Sequence, residues 1–207
     1  MILSIVAFGD QYIDNVMPHI SKFIDNGWNV HILTNNPTKF KVGTTHYYPN
    51  KIFSYFDKLL FPLRLVETHK DSVLYVDADW IQNLNQNFIK NFKGGDEFFY
   101  LYGWPNGDYL EDYINDNYFT KIIDFWDKVG FDYSKLPTIL EWFYFIPTHE
   151  QISNIIYDVE KIKPVFEYSS FYYDSAYPGI GNGEGLGLSY ILKKYNIPFK
   201  KINENII

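Results

Sequence analysis

Two carboxylates, Asp77 and Asp79, are separated by the single residue Ala78 and come directly after the apolar segment Ser72-Val73-Leu74-Tyr75-Val76. That segment is typical of a buried β-strand, and ligands bind at the carboxyl ends of strands in open α/β sheets. Two carboxylates at such a place repel each other and are costly to bury without partners. Mg²⁺ or Mn²⁺ relieves both problems, because a hard cation prefers carboxylate oxygens and substrate phosphates. The alternative is that both residues only cap the turn into Trp80.

A strand–helix–strand unit opens the chain. Residues 2–8 form a β-branched apolar run that ends in Gly9-Asp10, which predicts a buried strand and a turn. Apolar residues at helical spacing follow up to Ile24, and Pro18 inside them predicts a late start or a kink. Residues 29–33 predict a second strand, closed by a polar loop. Together these elements predict a parallel βαβ unit with a right-handed crossover.

The remaining pattern alternates helices and strands around the Asp77–Asp79 segment. Residues 38–50 read as irregular, and an amphipathic helix over residues 53–66 is predicted to be interrupted at Pro62. Further helices are predicted over residues 84–92, 119–129, 149–160 and 186–195, and further strands over 72–76, 97–102, 139–146 and 198–202. We therefore predict a single α/β domain over residues 1–207, with a mixed, mostly parallel central sheet flanked by helices.

Composition excludes several classes of function. The net charge is −7 and no long basic run occurs, so nucleic acid is a disfavoured partner. Cysteine is absent, which excludes disulfides and thiolate chemistry. No stretch approaches the roughly 20 apolar residues that span a bilayer, so we expect a cytoplasmic protein without a membrane-spanning segment. Aromatic residues make up 20% of the chain, which fits sugar stacking or a biased codon usage.

Residues 54–79 resemble the core signature of glycosyltransferase family 8 and its GT-A-fold relatives, including compact viral and bacterial enzymes. In that family a helix reading (Arg/Lys)-Leu-Leu-x-Pro leads into a strand reading Val-Leu-Tyr-x-Asp-x-Asp. Here the helix reads Lys58-Leu59-Leu60-Phe61-Pro62 and the strand Val73-Leu74-Tyr75-Val76-Asp77-Ala78-Asp79. A fainter similarity covers residues 2–36. The resemblance implies a GT-A, Rossmann-like fold with a nucleotide-binding half over 1–102 and an acceptor-side half over 103–207.

The resemblance also implies roles for individual residues. Asp77 and Asp79 would hold Mn²⁺ or Mg²⁺ against the diphosphate of a nucleotide-sugar donor, with Ala78 between them in the donor site. Lys58 would lie near the donor sugar, where a cation offsets charge on the leaving group; the alternative is a solvated helix residue. Residues at the ends of the first two strands would contact the nucleotide: Ala7, Phe8, Tyr12, Thr34, Asn35 and Asn36. Tyr12 could instead be a core residue, and Asn35-Asn36 could only make a turn.

Two glutamates are candidates for the reacting centre. Glu141 is a carboxylate within the apolar run over residues 139–146, so it is either functional or an edge residue facing water. Glu184 lies in a glycine-rich segment before a helix, where the resemblance places a polar residue facing the anomeric carbon, and Asp174 is second. The alternative for Glu184 is a helix N-terminal cap.

The chain departs from the family in two places. The late His-Phe-x-Gly motif that supplies a third metal ligand is absent, since His149 is the last histidine, and the Asn-x-Gly element is absent too. Asp174, Glu184 or water would complete the metal shell. These departures leave the sugar and the stereochemistry open.

The expected activity is metal-dependent transfer of a sugar, leaning towards retention, from a nucleoside-diphosphate sugar, with a UDP-sugar favoured, to a glycan or glycoconjugate hydroxyl. Residues 103–138 would line the acceptor pocket, with aromatic side chains that could stack on sugar: Trp104, Tyr109, Tyr113, Trp126 and Tyr133. A second hypothesis is a nucleotide-sugar or glycan-binding module without turnover. A third is a metal-dependent phosphohydrolase with Asp77 as nucleophile, although Trp80-Ile81 stands where such enzymes carry Gly-Thr.

Overall fold

One seven-stranded sheet organises the residues that the structure, a computed structural model, describes: 1–49, 54, 56–101, 120–137, 139, 142–170 and 183–202. Its strands are β1 (Ile2–Ala7), β2 (Asn29–Thr34), β3 (Thr44–Tyr47), β4 (Val73–Asp77), β5 (Phe98–Leu101), β6 (Phe143–Ile146) and β7 (Phe199–Ile202). The strand order is β3-β2-β1-β4-β6-β5-β7. In the described sheet only β6 runs against the others, because it pairs antiparallel with both β4 and β5. The predicted mixed, mostly parallel sheet is confirmed.

Helices cover both faces of this sheet. They are α1 (Asp10–Ile24), α2 (Phe56–His69), α3 (Gln86–Asn91), α4 (Thr120–Lys128), α5 (Ile152–Ser170) and α6 (Gly183–Lys194), with short 3₁₀ helices at Pro37–Lys39 and Ile81–Asn83. Helices α2, α5 and α6 pack against one another over one face, and α1 and α3 cover the other. No helix within the described residues is both long enough and apolar enough to span a membrane.

Strand β4 sends alternate side chains into the two cores, as a strand does with a period of two. Val73 and Tyr75 pack on the α2 face, whereas Leu74 and Val76 pack on the α1 face. Asp77 continues the first series. Its carboxylate therefore points towards α2 at the carboxyl end of the strand, which is what allows it to meet a residue of that helix.

Three local predictions were wrong. Residues 38–50 are not irregular throughout, because they contain β3 at the edge of the sheet. Helix α1 begins at Asp10 and contains Pro18, so the late start, one of the two predicted outcomes, is wrong. Helix α2 runs through Pro62 without interruption. Packing outweighed local propensity in both helices, since each presents a buried apolar face that shortening would expose.

Two other boundaries differ from the predictions. Helix α5 continues to Ser170, past Pro164 and beyond the predicted end at 160. Strand β6 is shorter than the predicted 139–146.

Trp126, one of the predicted acceptor residues, is a fully buried core side chain stacked on Tyr133 at 5.5 Å between ring centroids. The predicted acceptor residues Trp104, Tyr109 and Tyr113 lie outside the described residues.

Helix α6 approaches α2 closely at Gly187. A Cβ atom there would lie 3.2 Å from the Phe56 ring and 3.3 Å from Leu59. Only a residue without a side chain permits this separation without movement of its neighbours. The contact holds the N-terminal part of α6 beside the first turn of α2, which carries Lys58.

Three histidines from three elements meet on the α2 face of the sheet. His31 Nδ1 and His46 Nε2 are 2.9 Å apart, and the ring of His69 stands edge-on to His31 at 4.7 Å between centroids. Burial, followed by the charges of His46 and His69, lowers the pKa of His31 from 6.5 to about 4. Burial also lowers the pKa of His46. His31 and His46 are therefore neutral in the folded chain at neutral pH.

This cluster predicts a loss of stability in acid. The unfolded chain binds a proton at His31 below pH 6.5, but the folded chain does so only near pH 4. The free energy of unfolding should therefore fall as the pH falls from 6.5 to 4, by on the order of 2–3 kcal/mol. Urea unfolding at pH 7.5 and 5.0 should show a smaller difference for His31→Leu than for wild type. His149→Gln, outside the cluster, should retain the wild-type difference; equal differences in all three proteins would contradict the assignment.

Candidate functional site

The carboxyl ends of three parallel strands bring most of the predicted site residues to one edge of the sheet. Strands β1 and β2 end together, with Ala7 opposite Thr34, and Asp77 lies opposite Val6 at the end of β4. Asp77 also donates its backbone N–H to Trp142 at 2.8 Å, which extends the pairing with the β6 segment to the end of β4. This edge is where an open α/β sheet binds its ligand.

Asp77 is held on both carboxylate oxygens. Lys58 donates from Nζ to Oδ2 at 3.0 Å, and the Tyr75 hydroxyl donates to Oδ1 at 2.5 Å. Lys58 and Asp77 are both largely buried, with side chains 14% and 11% exposed. Removal of one partner from such a poorly hydrated ion pair strongly destabilises the folded protein, because the other charge stays buried without compensation. The alternative of a solvated helix residue is therefore wrong for Lys58, which contacts the Asp-x-Asp segment directly.

Asp79 differs from Asp77 in exposure. It lies in the turn that follows β4, where Trp80 donates its N–H to the Asp77 carbonyl at 3.0 Å, and its side chain is exposed to solvent. The two acidic residues therefore have different surroundings, although they are two positions apart. Asp77 is fixed inside the protein, whereas Asp79 is accessible to a ligand from outside.

The chemistry of these donors fits a hard cation that takes further ligands from a substrate. A carboxylate offers about four lone-pair sites, so Asp77 retains acceptor capacity beside Lys58 and Tyr75. Among the described residues, no group of three or more His, Asp or Glu side chains could hold a metal. Mg²⁺ is commonly held by one or two carboxylates, with phosphates and water completing its shell. Asp77 and Asp79 suit that kind of site.

The loops after β1 and β2 are tied together beside this edge. Gly9 donates its N–H to the Asn35 side chain at 3.2 Å, and the buried Thr34 hydroxyl accepts from the Asn36 N–H at 3.2 Å. Gly9 has a φ of +80°, which a residue with a side chain rarely adopts. Tyr12, in the first turn of α1, is 44% exposed. The alternative of Tyr12 as a core residue is therefore wrong. Asn35 and Asn36 do make hydrogen bonds that stabilise a turn, as their alternative interpretation predicted.

A second polar group lies at the same edge. The Phe8 ring meets the Tyr48 ring edge-on at 5.0 Å between centroids, and the Tyr48 hydroxyl donates to Asp57 at 2.6 Å. Lys163, on α5, lies 3.4 Å from the other oxygen of Asp57. Asp57 immediately precedes Lys58, so both ion pairs anchor the first turn of α2.

The predicted glutamates are only partly placed. Glu184 lies in the first turn of α6, the helix that Gly187 holds beside α2. Glu141 and Asp174 lie outside the described residues. Their predicted roles therefore remain predictions.

Sequence reasoning missed the two tyrosines that contact the Lys58–Asp77 pair. Tyr75 precedes Asp77 by two positions, so the period of a strand already places both side chains on one face. Tyr144 donates its hydroxyl to the Lys58 carbonyl at 2.5 Å from 86 positions away. A signal for it exists in Pro62, which follows Lys58 by four positions and removes the helical donor to that carbonyl.

Comparisons with known proteins bear on the fold. No protein-family model matches the chain, and no curated protein matches it. It is similar to a solved structure of the galactosyltransferase LgtC in complex with donor and acceptor sugar analogs, at 15% identity and a TM-score of 0.50, over 91% of this chain and 70% of that chain. A solved structure of apo mouse xyloside xylosyltransferase 1 aligns at 11% identity and a TM-score of 0.44, over 97% and 84%. The likeness to the galactosyltransferase confirms the predicted architecture: this chain has a GT-A fold.

Proposed function

We propose that this chain transfers a sugar from a nucleoside-diphosphate sugar to a hydroxyl of a glycan or glycoconjugate, using Mn²⁺ or Mg²⁺ at Asp77 and Asp79. A UDP-sugar is the favoured donor, and retention of configuration is the favoured outcome. The observation that carries the proposal is the buried Lys58–Asp77 pair beside exposed Asp79, at the carboxyl edge of β4. The fold of this chain is similar to that of a galactosyltransferase whose structure was solved in complex with donor and acceptor sugar analogs.

In this reaction the bond between the anomeric carbon and the diphosphate oxygen breaks, and a bond forms to the acceptor oxygen. The acceptor proton passes to the departing diphosphate in a retaining reaction, or to a general base in an inverting one. When bound, a divalent cation supplies positive charge that neutralises the departing diphosphate. The carboxylates of Asp77 and Asp79 would hold that cation. The ammonium group of Lys58 would offset the charge that develops on the leaving group. Alignment of the acceptor beside the anomeric carbon would contribute much of the remaining rate enhancement.

Glu184 and Glu141 are the proposed catalytic carboxylates. In a retaining reaction, one of them would stabilise the positive charge at the anomeric carbon. In an inverting reaction, one would take the proton from the acceptor hydroxyl as a general base. The position of Glu184 in the first turn of α6, next to the α2 turn that carries Lys58, supports its role.

The nucleotide would lie over the ends of β1 and β2. The exposed ring of Tyr12 offers a face for the base, and the amides of Asn35 and Asn36 offer hydrogen bonds to its edge. Buried Ala7 and Thr34, with half-buried Phe8, would form the floor of this site, and Ala78 would pass beneath the diphosphate.

Release of free nucleotide from a panel of UDP- and GDP-sugars, with Mn²⁺ or with EDTA, tests the proposal without a known acceptor. Metal-dependent release from one donor, lost in Asp79→Ala but kept in Asp127→Ala, is the expected result. Asp127 is a suitable control because it is an exposed carboxylate on α4. Tight nucleotide binding without release, even with glycan acceptors added, would support the binding-module hypothesis. Neither binding nor release would contradict both hypotheses.

A further inference from the structure

The Tyr144 hydroxyl takes the place of a missing backbone donor in α2. In an α-helix, the carbonyl of residue 58 would accept the N–H of residue 62. Pro62 has no N–H, so it cannot make that bond, yet the helix continues through it. Tyr144 donates its hydroxyl to the Lys58 carbonyl at 2.5 Å instead. The side chain of a neighbouring strand therefore fixes the backbone at Lys58.

Tyr144 is stacked on the tyrosine that holds Asp77. Tyr75 and Tyr144 are direct partners in the β4–β6 ladder, with ring centroids 4.7 Å apart and planes inclined by 23°. Both side chains are fully buried. The Tyr75 hydroxyl donates to Asp77 Oδ1, and the Tyr144 hydroxyl donates to the Lys58 backbone. One stacked pair thus contacts both residues of the Lys58–Asp77 ion pair, Asp77 at its carboxylate and Lys58 at its backbone carbonyl.

We propose that Tyr75 and Tyr144 are a positioning pair that holds Lys58 against Asp77, and that Pro62 is what opens the Lys58 carbonyl to Tyr144. The proposal rests on the proposed function, which it deepens by naming residues that set the geometry of its charged groups. Neither tyrosine is assigned contact with substrate. Each acts through the residue that its hydroxyl holds.

Burial and rigidity explain why such a pair is effective. A lysine has four rotatable bonds, so its ammonium group is poorly located unless the backbone and the partner are both fixed. Stacked rings on two paired strands have little conformational freedom. Their hydroxyls therefore hold the Asp77 carboxylate and the Lys58 carbonyl in fixed positions. Loss of either hydroxyl would leave a buried polar group with fewer partners, which destabilises the folded state. It would also loosen the charged pair.

The first test uses Tyr144→Phe with and without Pro62→Ala. Tyr144→Phe alone should lower the melting temperature by about 2–4 °C and lower kcat by about 10- to 100-fold, with little change in donor KM. The change of Pro62 to alanine restores the backbone N–H that bonds the Lys58 carbonyl in a regular helix. Adding Pro62→Ala should therefore recover both the melting temperature and kcat. A double variant as impaired as Tyr144→Phe would overturn the role of Pro62, and a Tyr144→Phe protein equal to wild type would overturn that of Tyr144.

The second test measures Mn²⁺ binding in the presence of UDP, from the electron paramagnetic resonance signal of free Mn²⁺. Tyr75→Phe should bind Mn²⁺ about 10- to 100-fold more weakly than wild type. Tyr195→Phe is the matched control, because it removes a 2.6 Å hydrogen bond from a tyrosine to Asp158, an aspartate on α5 that is not a proposed metal ligand, and it should bind Mn²⁺ as wild type does. Equal affinity in Tyr75→Phe and wild type would overturn the proposal. If wild type itself neither binds Mn²⁺ nor releases nucleotide, the proposed function fails, while the melting-temperature rescue by Pro62→Ala still decides the positioning pair.

Discussion

Asp77→Asn and Asp79→Asn should both abolish metal-dependent nucleotide release, but only Asp77→Asn should destabilise the protein. Both carboxylates are proposed metal ligands, so loss of either charge should lower release by at least about 100-fold. Asp77 is also the buried partner of Lys58, whereas Asp79 is exposed in the following turn. Two identical changes, two positions apart, should therefore have different effects on folding.

The expected size of that difference follows from burial. Removal of one charge from a buried pair destabilises a protein by about 3–5 kcal/mol, and asparagine retains some hydrogen bonding at position 77. We expect a loss of about 3 kcal/mol for Asp77→Asn, which corresponds to a melting temperature roughly 6–12 °C lower. Asp79→Asn should stay within about 0.5 kcal/mol of wild type.

Scanning calorimetry and nucleotide release on the same preparations check both parts, with release measured well below the lower melting temperature. Wild-type release in Asp79→Asn would remove it from the proposed site. An unchanged melting temperature in Asp77→Asn would mean that the Lys58–Asp77 pair contributes nothing to folding.

Lys58→Met should separate catalysis from metal binding. Lys58 contacts Asp77 Oδ2 at 3.0 Å, so its ammonium group competes with a cation for that oxygen. Methionine fills a similar volume without the charge, and the variant should bind Mn²⁺ at least as tightly as wild type. Nucleotide release should nevertheless fall by about 10²–10³-fold, because a group that offsets charge on the leaving diphosphate is lost. Electron paramagnetic resonance of free Mn²⁺ measures metal binding, and a coupled assay measures nucleotide release.

Lys194→Met is a matched control for the loss of a lysine–aspartate pair. Lys194 contacts Asp158 at 2.6 Å between α6 and α5, and neither residue is part of the proposed site. It should leave release unchanged. Weaker Mn²⁺ binding in Lys58→Met would contradict the competition between Lys58 and the cation, and wild-type release would contradict its catalytic role.

Strong apolar patterns made the first strand–helix–strand elements predictable, whereas weak patterns concealed others. Strand β1 is buried throughout and β2 at every position except Asn29, and the apolar residues that dominate β1 and recur in β2 mark buried parallel strands. Strand β3 is only Thr-Thr-His-Tyr at the edge of the sheet, too short and too polar to be distinguished from a loop. The reversed direction of β6 has no local signal either, because strand direction depends on the connections around it.

The effect of proline on the helices was wrongly predicted for a physical reason. A proline in a helix removes one hydrogen bond, and sequence alone does not show whether another group replaces the donor. At Pro62, Tyr144 replaces it from a strand far along the chain. The predicted break at Pro62 therefore became a point at which the helix is tied to the sheet.

The site was predictable in part. Asp77 and Asp79 stand out because carboxylates follow an apolar strand, but nothing in their spacing shows that one would be buried and the other exposed. The resemblance implied only that Lys58 lies near the donor sugar and the Asp-x-Asp segment; its hydrogen bond to Asp77 depends on the packing of α2 against β4. The role of Tyr144 could not be predicted without the three-dimensional pairing of β4 with β6.

The position of Mn²⁺ in crystals grown with MnCl₂ and UDP would show whether Asp77 and Asp79 hold the metal beside a bound nucleotide. Anomalous scattering at the manganese absorption edge locates the ion independently of the protein atoms. We expect a single strong peak between the carboxylates of Asp77 and Asp79 and the diphosphate of UDP, with the base over the ends of β1 and β2. UDP bound elsewhere, or manganese absent from Asp77 and Asp79 while UDP is present, would contradict it.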